Sequence, residues 1–576
     1  MKQKKKKPLK TGSVKKKLEK ALEAFSKGKT KKTRLLCLSI LRDRPHNPTA
    51  LLLAGRIAVR EGRMDEAVES LRRAVIHAPN NADTHQILGK VLNKLGDPEG
   101  AVAAFREAVR INNRHKKASR SLGKILLRSG QYAASETHLR QSLEVSPHRI
   151  RLRYLLGVAC RKQNNHGEAE RIFRTIIEIR PDHVDALVNL GISLREQGKL
   201  QEAESFLIQA ASKDKQSAKT YANLALTQYE LGFSTKAEEN CNHSLQLEPN
   251  RAYVHWIRGQ SRLRQGVLED GWKDFEWRTR MDGYHHSKLP FVEWSGEDLR
   301  DRTILVYGEQ GIGNEVMCAS CLDDLINQAG KVILECDVRL VALFQYTFPH
   351  IMVVRRYRKG NKAWLDALPP VDFQISSASL PRYFRNSSED FSGKRPQLCS
   401  DLTLKNQWQE KLASLGDGLK IGISWRGGSH PLARKQRSTE LFHWAPLFNI
   451  DGVHWINVQY GASDKELAQT SWDMGVQINH FSNFDPLGDL NGFVALLSSL
   501  DLVISIDNNT VHFAGALEVP VWTLLPFAAD WRWMESREDT PWYTSMRLFR
   551  QERPGDWGAV FNKVAKALQV LKDNHH

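Results

Sequence analysis

Residues 157–191 read GVACRKQNNHGEAERIFRTIIEIRPDHVDALVNLG, and the terminal glycines, Gly157 and Gly191, stand 34 residues apart. A small residue, Ala169, follows the first glycine after 12 residues, and a large apolar residue, Phe173, comes 4 residues later. Pro181 then ends the apolar pattern. Because proline cannot continue a helix, this stretch predicts two antiparallel helices that cross closely at the small residues.

The same pattern recurs at the same spacing through the first half of the chain. Its first position is filled by Gly55, Gly89, Gly123, Gly157, Gly191, Ala225 and Gly259. The second small series is Ala67, Ala101, Ser135, Ala169, Ala203 and Ala237, and the large apolar series is Leu71, Phe105, Leu139, Phe173 and Leu207, with Cys241 in the last unit. Prolines close most units, at Pro45, Pro79, Pro147, Pro181 and Pro249, while Asn113 and Lys215 replace them in two. One helix pair cannot bury its apolar stripe alone, so we expect the units to stack, with the large apolar residue filling the gap between units.

This period and residue pattern resemble the tetratricopeptide repeat (TPR) family over residues 14–285. The resemblance implies an N-terminal α-solenoid of about seven to eight repeats. Solenoids of this kind present a groove that binds a protein or peptide partner. The alternative is an array that only scaffolds or dimerises the chain.

Short apolar runs separated by helical stretches replace this period in the second half. They are 304–307, 332–334, 351–354, 421–424, 455–458, 502–505 and 521–525. Near-continuous apolar strands that alternate with helices indicate parallel sheets covered on both faces. We therefore predict two Rossmann-like halves, residues 286–400 and 401–576.

Two of these strands end in polar loops. The first loop is Gly308-Glu309-Gln310-Gly311-Ile312-Gly313-Asn314-Glu315, directly after the run that ends at Tyr307. Glycines let the backbone approach a ligand closely, and the N-terminus of the following helix favours an anion. The spacing is not that of a dinucleotide site, and the lysine of a P-loop is missing.

The second loop is Asp507-Asn508-Asn509-Thr510-Val511-His512, which follows another buried run. Backbone N–H groups and the Thr510 hydroxyl at such a helix terminus are suited to a diphosphate. Simple helix capping by Asp507 and a buried core role for His512 explain the same residues equally well. The residues alone leave both interpretations open.

The segment from Asp507 to Pro520 resembles the D-x-x-x-x-H-x-A-x-A/G-x-x-x-P donor signature of heptosyltransferase-like glycosyltransferases, the ADP-heptose:LPS heptosyltransferase superfamily. Gly311-x-Gly313-Asn314 resembles the same family's G-x-G-D loop. The stretches 425–428 and 530–533 are similar to a branch in which TPR arrays precede the transferase. The resemblance implies an α + α/β chain, in which a TPR α-solenoid precedes a GT-B pair of Rossmann-like parallel halves.

The resemblance also implies a metal-independent enzyme that needs no cofactor and takes a nucleotide-diphosphate sugar as donor. The implied acceptor is a protein or glycan that the repeats recruit. The implied donor-binding residues are Gly311, Gly313, Trp425, Arg426, Arg437, Ser438, Gln459, Tyr460, Asp507, Asn508, Asn509, Thr510 and His512. Within this set Gln459 and Tyr460 would hold the nucleoside. Arg437 has a second interpretation, because it ends the basic run 434–437 and fits ordinary surface charge.

The chain departs from the family at residue 314. The family has an aspartate there as candidate catalytic base, whereas an amide such as Asn314 accepts no proton. Glu315 and His512 are the substitutes we consider, although consecutive helical residues such as 314 and 315 point about 100° apart. The alternative is a non-catalytic TPR scaffold with a degenerate transferase domain.

The net charge and the cysteine content limit which other functions and partners the chain is expected to have. The net charge is +19, and residues 1–20 hold ten lysines and one glutamate. A basic tail at residues 1–13 is typical of disordered, solvated chain, or alternatively of peripheral contact with an anionic membrane. No aromatic residues are interleaved to stack bases, so we expect no sequence-specific nucleic-acid binding.

The seven cysteines are scattered and odd in number, which indicates reduced thiols and a cytoplasmic protein. Cys318 and Cys321 form a C-x-x-C pair without the second pair that a zinc site requires. We interpret them as small residues on a buried helix face. No run of apolar residues is long enough to cross a membrane.

Overall fold

The computed structural model describes residues 11–281, 283–284, 289–309, 311–357, 363–391, 398–428, 434 and 436–574. The predicted basic tail up to residue 10, the domain junction at 285–288, Gln310 of the first loop and Lys435 of the basic run lie outside them. The chain divides into two compact units, Met1–Asp214 and Lys215–His576.

The described part of the first unit consists of helices that pack pairwise across short turns. Their bounds are α1 Thr11–Ser26, α2 Thr30–Asp43, α3 Pro48–Arg60, α4 Met64–His77, α5 Ala82–Lys94, α6 Pro98–Ile111, α7 Lys116–Arg128, α8 Tyr132–Val145, α9 Ile150–Lys162, α10 His166–Ile179, α11 Val184–Glu196 and α12 Leu200–Lys213. Several of these helices begin at a side-chain cap. Asn47, for example, accepts a hydrogen bond from the Ala50 N–H at 2.9 Å.

The repeating glycines lie where two helices of one repeat touch. A Cβ built on Gly157 would lie 2.7 Å from Cε1 of Phe173, closer than side chains tolerate. Gly55, Gly123 and Gly191 face the leucine of their own repeat in the same way. The predicted close crossing is therefore confirmed. The large apolar residue, however, covers the glycine within its own repeat, in addition to any contact that it makes with the next one.

We expect Gly157→Leu to lower the free energy of unfolding of the helical unit by about 2–4 kcal/mol, because the new side chain would overlap Phe173. Urea unfolding followed by far-UV circular dichroism measures this. Gly167→Leu is the matched control, because nothing lies within 4 Å of a Cβ at Gly167. Equal losses in the two variants would contradict the packing explanation.

The second unit begins with two more helix pairs, α13 Ala218–Glu230 with α14 Ser234–Leu247, and α15 Ala252–Arg264 with α16 Leu268–Phe275. A short 3-10 segment, Glu276–Arg280, follows. The Trp272 ring packs edge-on against Trp531 with ring centroids 5.3 Å apart, and the Trp272 indole N–H donates to the Arg385 carbonyl at 2.8 Å. The second of these pairs, α15 with α16, therefore shares one apolar core with the sheets.

The first sheet of this unit has five parallel strands among the described residues, in the order β1-β5-β2-β3-β4. The strands are β1 Val292–Glu293, β2 Thr303–Tyr307, β3 Lys331–Cys336, β4 Met352–Arg355 and β5 Phe373–Ser376. The helices around it are α17 Ile312–Cys318, α18 Leu322–Ile326, α19 Val341–Thr347 and α20 Pro381–Phe384. Both Cys318 and Cys321 are buried here, as we predict for small residues on a buried face.

The second sheet has six parallel strands among the described residues, in the order β11-β10-β9-β6-β7-β8. The strands are β6 Leu419–Ser424, β7 Val453–Asn457, β8 Ile478–Asn479, β9 Leu502–Ile506, β10 Val521–Leu525 and β11 Met546–Arg550. The helices are α21 Leu402–Ala413, α22 Ala445–Phe448, α23 Asp464–Met474, α24 Leu490–Leu497, α25 Asn509–Ala516 and α26 Trp557–Asp573. The prediction of repeats followed by parallel sheets is thus confirmed.

Candidate functional site

The glycine-rich loop leads from β2 into α17, and two of its glycines are required for different structural reasons. Gly311 has φ of +90°, a backbone conformation that favours glycine. A Cβ on Gly313 would lie 2.7 Å from Oδ1 of Asn509 and 3.0 Å from Cδ2 of His512. Glycine at 313 therefore lets the first turn of α17 approach α25 closely. The two loops that the sequence singles out, one from each sheet, meet at this point.

Asn508 anchors the second loop to its own sheet. Its Oδ1 accepts the Thr510 N–H at 2.9 Å, as an N-cap does. Its amide nitrogen donates to Ser424 Oγ at 2.7 Å and to the Arg426 carbonyl at 3.1 Å. These bonds fix the end of β9 against the end of β6. The helix cap is therefore Asn508 and not Asp507, to which one of our interpretations assigns it, and Thr510 is buried in the first turn of α25.

His512 is buried and uncharged. Burial, together with the nearby Arg532 cation, lowers the pKa of this imidazole to about 3. Its Nδ1 shares a hydrogen bond of 3.0 Å with the Tyr543 hydroxyl, and its ring stacks on Trp533 with centroids 5.3 Å apart. The ring orientation is therefore fixed, and the side chain stays neutral across the physiological pH range.

Four charged side chains surround the meeting point of the loops. Arg532 donates to Asn314 Oδ1 at 2.6 Å and to Asp530 Oδ1 at 2.6 Å. Arg437 lies 3.5 Å from Asp530 and 3.4 Å from Asp507. We call Asp507, Asp530, Arg437 and Arg532 the charged cluster. Arg437 is thereby part of the site and more than an ordinary surface cation.

The two carboxylates of the charged cluster differ in their environment. Burial raises the pKa of Asp507, and Arg437 offsets only part of this effect. Burial also opposes ionisation of Asp530, but Arg532 and Arg437 outweigh it and lower the pKa of that carboxyl. Within the described residues neither Asp507 Oδ2 nor the Trp533 indole N–H makes a hydrogen bond. Asp507 Oδ2 nevertheless faces Arg437 at 3.4 Å, and the Trp533 side chain helps to lower the pKa of Asp507, so both atoms lie among polar neighbours.

The predicted residues on β6 and β7 lie beside this cluster and are mutually bonded. Gln459 Oε1 accepts the backbone N–H groups of Trp425 at 3.0 Å and Arg426 at 2.7 Å. Arg426 also donates to Glu466 Oε1 at 2.8 Å. Ser438 Oγ bonds to the Gly427 backbone, and Tyr460 contributes its carbonyl to Gln459. Their hydrogen bonds hold the strand ends in register.

Glu315 faces away from this cluster. Its Oε1 pairs with Arg356 at 2.5 Å, and its Oε2 accepts the Asp337 N–H at 2.9 Å. Burial raises the pKa of this carboxyl, with Arg356 acting against it. Asn314 bonds to Arg532 instead, so the two neighbouring side chains diverge, as helical geometry predicts. Both oxygens of Glu315 are engaged.

The sequence interpretation missed two parts of this site. Arg532 and Asp530 enter it only through the Asp530–Trp533 stretch, which we use for the resemblance and not as binding residues. Glu309, next to the glycines, is bonded by Arg278 at 2.8 Å and 2.9 Å. An acidic residue such as Glu309 next to the glycines of a buried loop needs a cation partner, and this is the signal by which the sequence could have pointed to Arg278.

Two further properties concern metals and membranes. Across the described ranges, no three His, Cys, Asp or Glu side chains come together as a metal ion would require. In the same part of the chain, no helix combines the length and apolarity needed to cross a bilayer.

Comparison with known proteins identifies the helical repeats. One tetratricopeptide repeat family model matches residues 16–83, 52–116, 88–143 and 154–218. Another tetratricopeptide repeat model matches residues 117–182. The first part of the chain therefore consists of tetratricopeptide repeats, and such repeats commonly bind proteins or peptides.

One curated relative is Protein FlbA of Caulobacter vibrioides, which is 29% identical over 367 residues. The match covers 61% of this chain, and the chain spans about 61% of the length of that relative. A tetratricopeptide repeat protein from Parabacteroides merdae is 19% identical, with 43% of this chain and 99% of that one covered and a TM-score of 0.33. PilF of Pseudomonas aeruginosa is 17% identical, with coverage of 37% and 96% and a TM-score of 0.32.

Proposed function

We propose that the chain is a glycosyltransferase that moves a sugar from a nucleotide-diphosphate donor to a protein or glycan acceptor recruited by its repeats. One observation carries the proposal. The Gly311–Asn314 loop of one parallel sheet meets Asn509 and His512 of the other, beside Arg437 and Arg532. Ligands of open α/β sheets bind at the carboxyl ends of the strands, where such loops lie.

The chemistry of sugar transfer suits this set of residues. The departing diphosphate gains negative charge, so a transferase has to supply preorganised cations and N–H dipoles. Arg437 and Arg532 would supply the cations, and the first N–H groups of α25 the dipoles. Asn314 engages Arg532 through a neutral amide and adds no second carboxylate beside the one that Asp530 already supplies. Donor binding by Gln459 and Tyr460 remains part of the proposal.

The acceptor hydroxyl needs a base, and the proposal keeps two candidates. His512 lies at the meeting point, although its depressed pKa makes it a weak base. Glu315 is the stronger base by pKa but would have to exchange its bond to Arg356 to reach a substrate. We assign neither a metal nor a cofactor to the reaction.

The alternative function is a non-catalytic repeat scaffold that binds the donor, or a partner, without turnover. The specific observation in its favour is Asn314, which cannot accept a proton and is bonded to Arg532. Donor binding tests the site common to both functions. Sugar transfer then distinguishes them.

We expect a panel of nucleotide sugars to contain at least one that binds the full chain, measured by calorimetry and by thermal shift. Thr510→Ala and His512→Ala should each weaken that binding by about 1–3 kcal/mol. Because the pKa of His512 is about 3, affinity should not change between about pH 5 and pH 8 through this residue. Thr470→Ala is the control, since that hydroxyl donates to the Glu466 carbonyl of its own helix at 2.9 Å. Unchanged affinity in both site variants would exclude this site.

A further inference from the structure

The first helices of the repeats in unit Met1–Asp214 carry cations at equivalent positions. Lys90 and Lys124 directly follow the repeat glycines, and Lys94, Arg128 and Lys162 come 4 residues after that position in their repeats. All five side chains are exposed. Residues at equivalent positions of stacked repeats lie on the same face, so these cations form columns along the unit.

Between α7, α9 and α11 these columns border a groove. Its lining includes the cations Arg120, Lys124, Arg151 and Arg180, together with Tyr154 and Asp185. The three helices are the first members of consecutive repeats, and α9 contacts both of its neighbours. We call this recess the basic groove.

The cations of the basic groove differ from other arginines of the repeats in their ion pairing. Among the residues that the structure describes, no carboxylate lies within 4.0 Å of the charged groups of Arg120, Lys124, Arg151 or Arg180. The second helices of the repeats are different. Arg140 and Arg174 each pair with a glutamate of their own helix and with one of the next repeat, Glu168 and Glu202 respectively.

This contrast concentrates uncompensated positive charge on one face of the unit. Arg140 and Arg174 of the second helices are neutralised by repeat-to-repeat ion pairs, whereas the groove presents its cations to solvent. Clustered like charges repel each other, so they weaken the unit unless an anion joins them. Such an arrangement is expected where the counter-charge comes from another molecule.

We propose that the basic groove binds an extended, acidic segment of a partner protein. The inference rests on the function proposed above in one respect, namely that this segment would belong to the acceptor. Glutamate and aspartate side chains of the segment pair with Lys124, Arg151 and their neighbours. The backbone N–H groups of the segment have an acceptor in Asp185.

Other polyanions fit the basic groove less well. Asp185 would repel a phosphate backbone, whereas a peptide brings N–H donors to it. Tyr154 stacks on His183, with ring centroids 5.5 Å apart, so its ring is already occupied instead of being free for a base. A bilayer surface is flat on this scale and does not follow a recess between three helices.

Fluorescence anisotropy with a labelled synthetic peptide of alternating glutamate and serine tests the inference on the full chain. Lys124→Glu/Arg151→Glu is expected to weaken binding at least tenfold, with Lys124→Gln/Arg151→Gln as a milder version should charge reversal impair folding. The matched control is Arg72→Glu/Arg106→Glu on α4 and α6, which makes the same change in net charge on second helices. Its affinity for the peptide should fall less than threefold. All variants keep the lysine-rich N-terminus, so its contribution cancels.

Several results would overturn the inference. The first is that the parent chain does not bind the peptide. The second is that the groove and control variants lose the same amount of peptide affinity, and the third is that neither variant loses any. Tighter binding of a single-stranded oligonucleotide or of phosphatidylserine vesicles, abolished by the same groove variants, would assign the groove to that ligand instead. Nucleotide-sugar binding is measured in parallel. A parent that binds the peptide but no nucleotide sugar would contradict the proposed transferase alone.

Discussion

Arg278→Leu is expected to lower the free energy of unfolding of the unit Lys215–His576 by about 3–5 kcal/mol. Arg278 is 1% exposed, and its guanidinium bonds both oxygens of Glu309, at 2.8 Å and 2.9 Å, and Ser379 Oγ at 2.8 Å. It also bonds Glu276 at 2.6 Å. Removing it would leave the buried Glu309 carboxylate without its cation, and an uncompensated buried charge is strongly destabilising.

The pH dependence of stability provides an independent readout of the same change. Burial opposes ionisation of Glu309, but Arg278 outweighs it and lowers the pKa of that carboxyl in the folded parent. The parent therefore has the full contribution of this group above the unfolded pKa of about 4.3. Without Arg278 the folded pKa rises above the unfolded one. Stability of the variant should then fall as pH rises through that new value.

An exposed ion pair is the matched control for this prediction. Arg300 pairs with Asp298 at 2.5 Å, but its side chain is 84% exposed. Arg300→Leu should therefore cost less than about 1 kcal/mol. Chemical denaturation of both variants, followed by tryptophan fluorescence, gives the comparison. If Arg278→Leu lowers the free energy of unfolding no more than Arg300→Leu does, the buried ion pair does not stabilise the fold.

The Arg278–Glu309 pair also joins the end of the repeat array to a loop of the first sheet. Arg278 lies just beyond the last repeat helix, and Glu309 lies in the glycine-rich loop of the candidate site. Nearby, the Glu535 N–H donates to the Arg264 carbonyl at 2.8 Å. The end of the repeat array therefore positions loops of the site. A change in these helices is expected to affect the site directly.

Sequence reasoning succeeds where the physical constraint is periodic or local. The glycine series is visible because each glycine meets a residue 16 positions later, as Gly157 meets Phe173, in every repeat. All seven predicted strands are found, because continuous apolar runs are the signature of doubly covered parallel strands. The strands that we missed are two of only two residues, β1 and β8, together with β5 and β11. The last of these, Met546–Arg550, lies at the edge of its sheet, and two arginines interrupt its apolar residues.

The candidate site is less visible in the sequence, because its contacts are long-range. Both loops were found from their glycines and caps, which are local features. The bond between Asn314 and Arg532 joins residues 218 positions apart, and that between Trp272 and Arg385 joins residues 113 apart. No spacing rule predicts such pairs. They arise only when two sheets and the last repeats fold against each other.

Arg532→Ala is expected to lower the rate of sugar transfer by about 10²–10³-fold, the typical effect of losing one charged or hydrogen-bonding group that stabilises a developing anion. Asn314 and Asp530 hold Arg532, each at 2.6 Å, so its guanidinium is oriented by these two bonds. Transfer and donor hydrolysis are the measurements. Arg547→Ala is the control, because that side chain is half exposed and pairs with Glu538 at 3.4 Å, outside the charged cluster.

Asn314→Asp separates this role of Arg532 from a purely structural one. A carboxylate at residue 314 would pair with Arg532 and compete with the donor diphosphate for it, so donor affinity should fall. In an Arg532→Ala background, Asn314→Asp has no cation at residue 532 to neutralise, so it should lower donor affinity less. The two substitutions should therefore be non-additive in donor binding. Additive losses would indicate that Arg532 only supports the fold, and full transfer activity in Arg532→Ala would remove it from the proposed mechanism. Donor binding without transfer in the parent and in both variants would instead favour the non-catalytic scaffold.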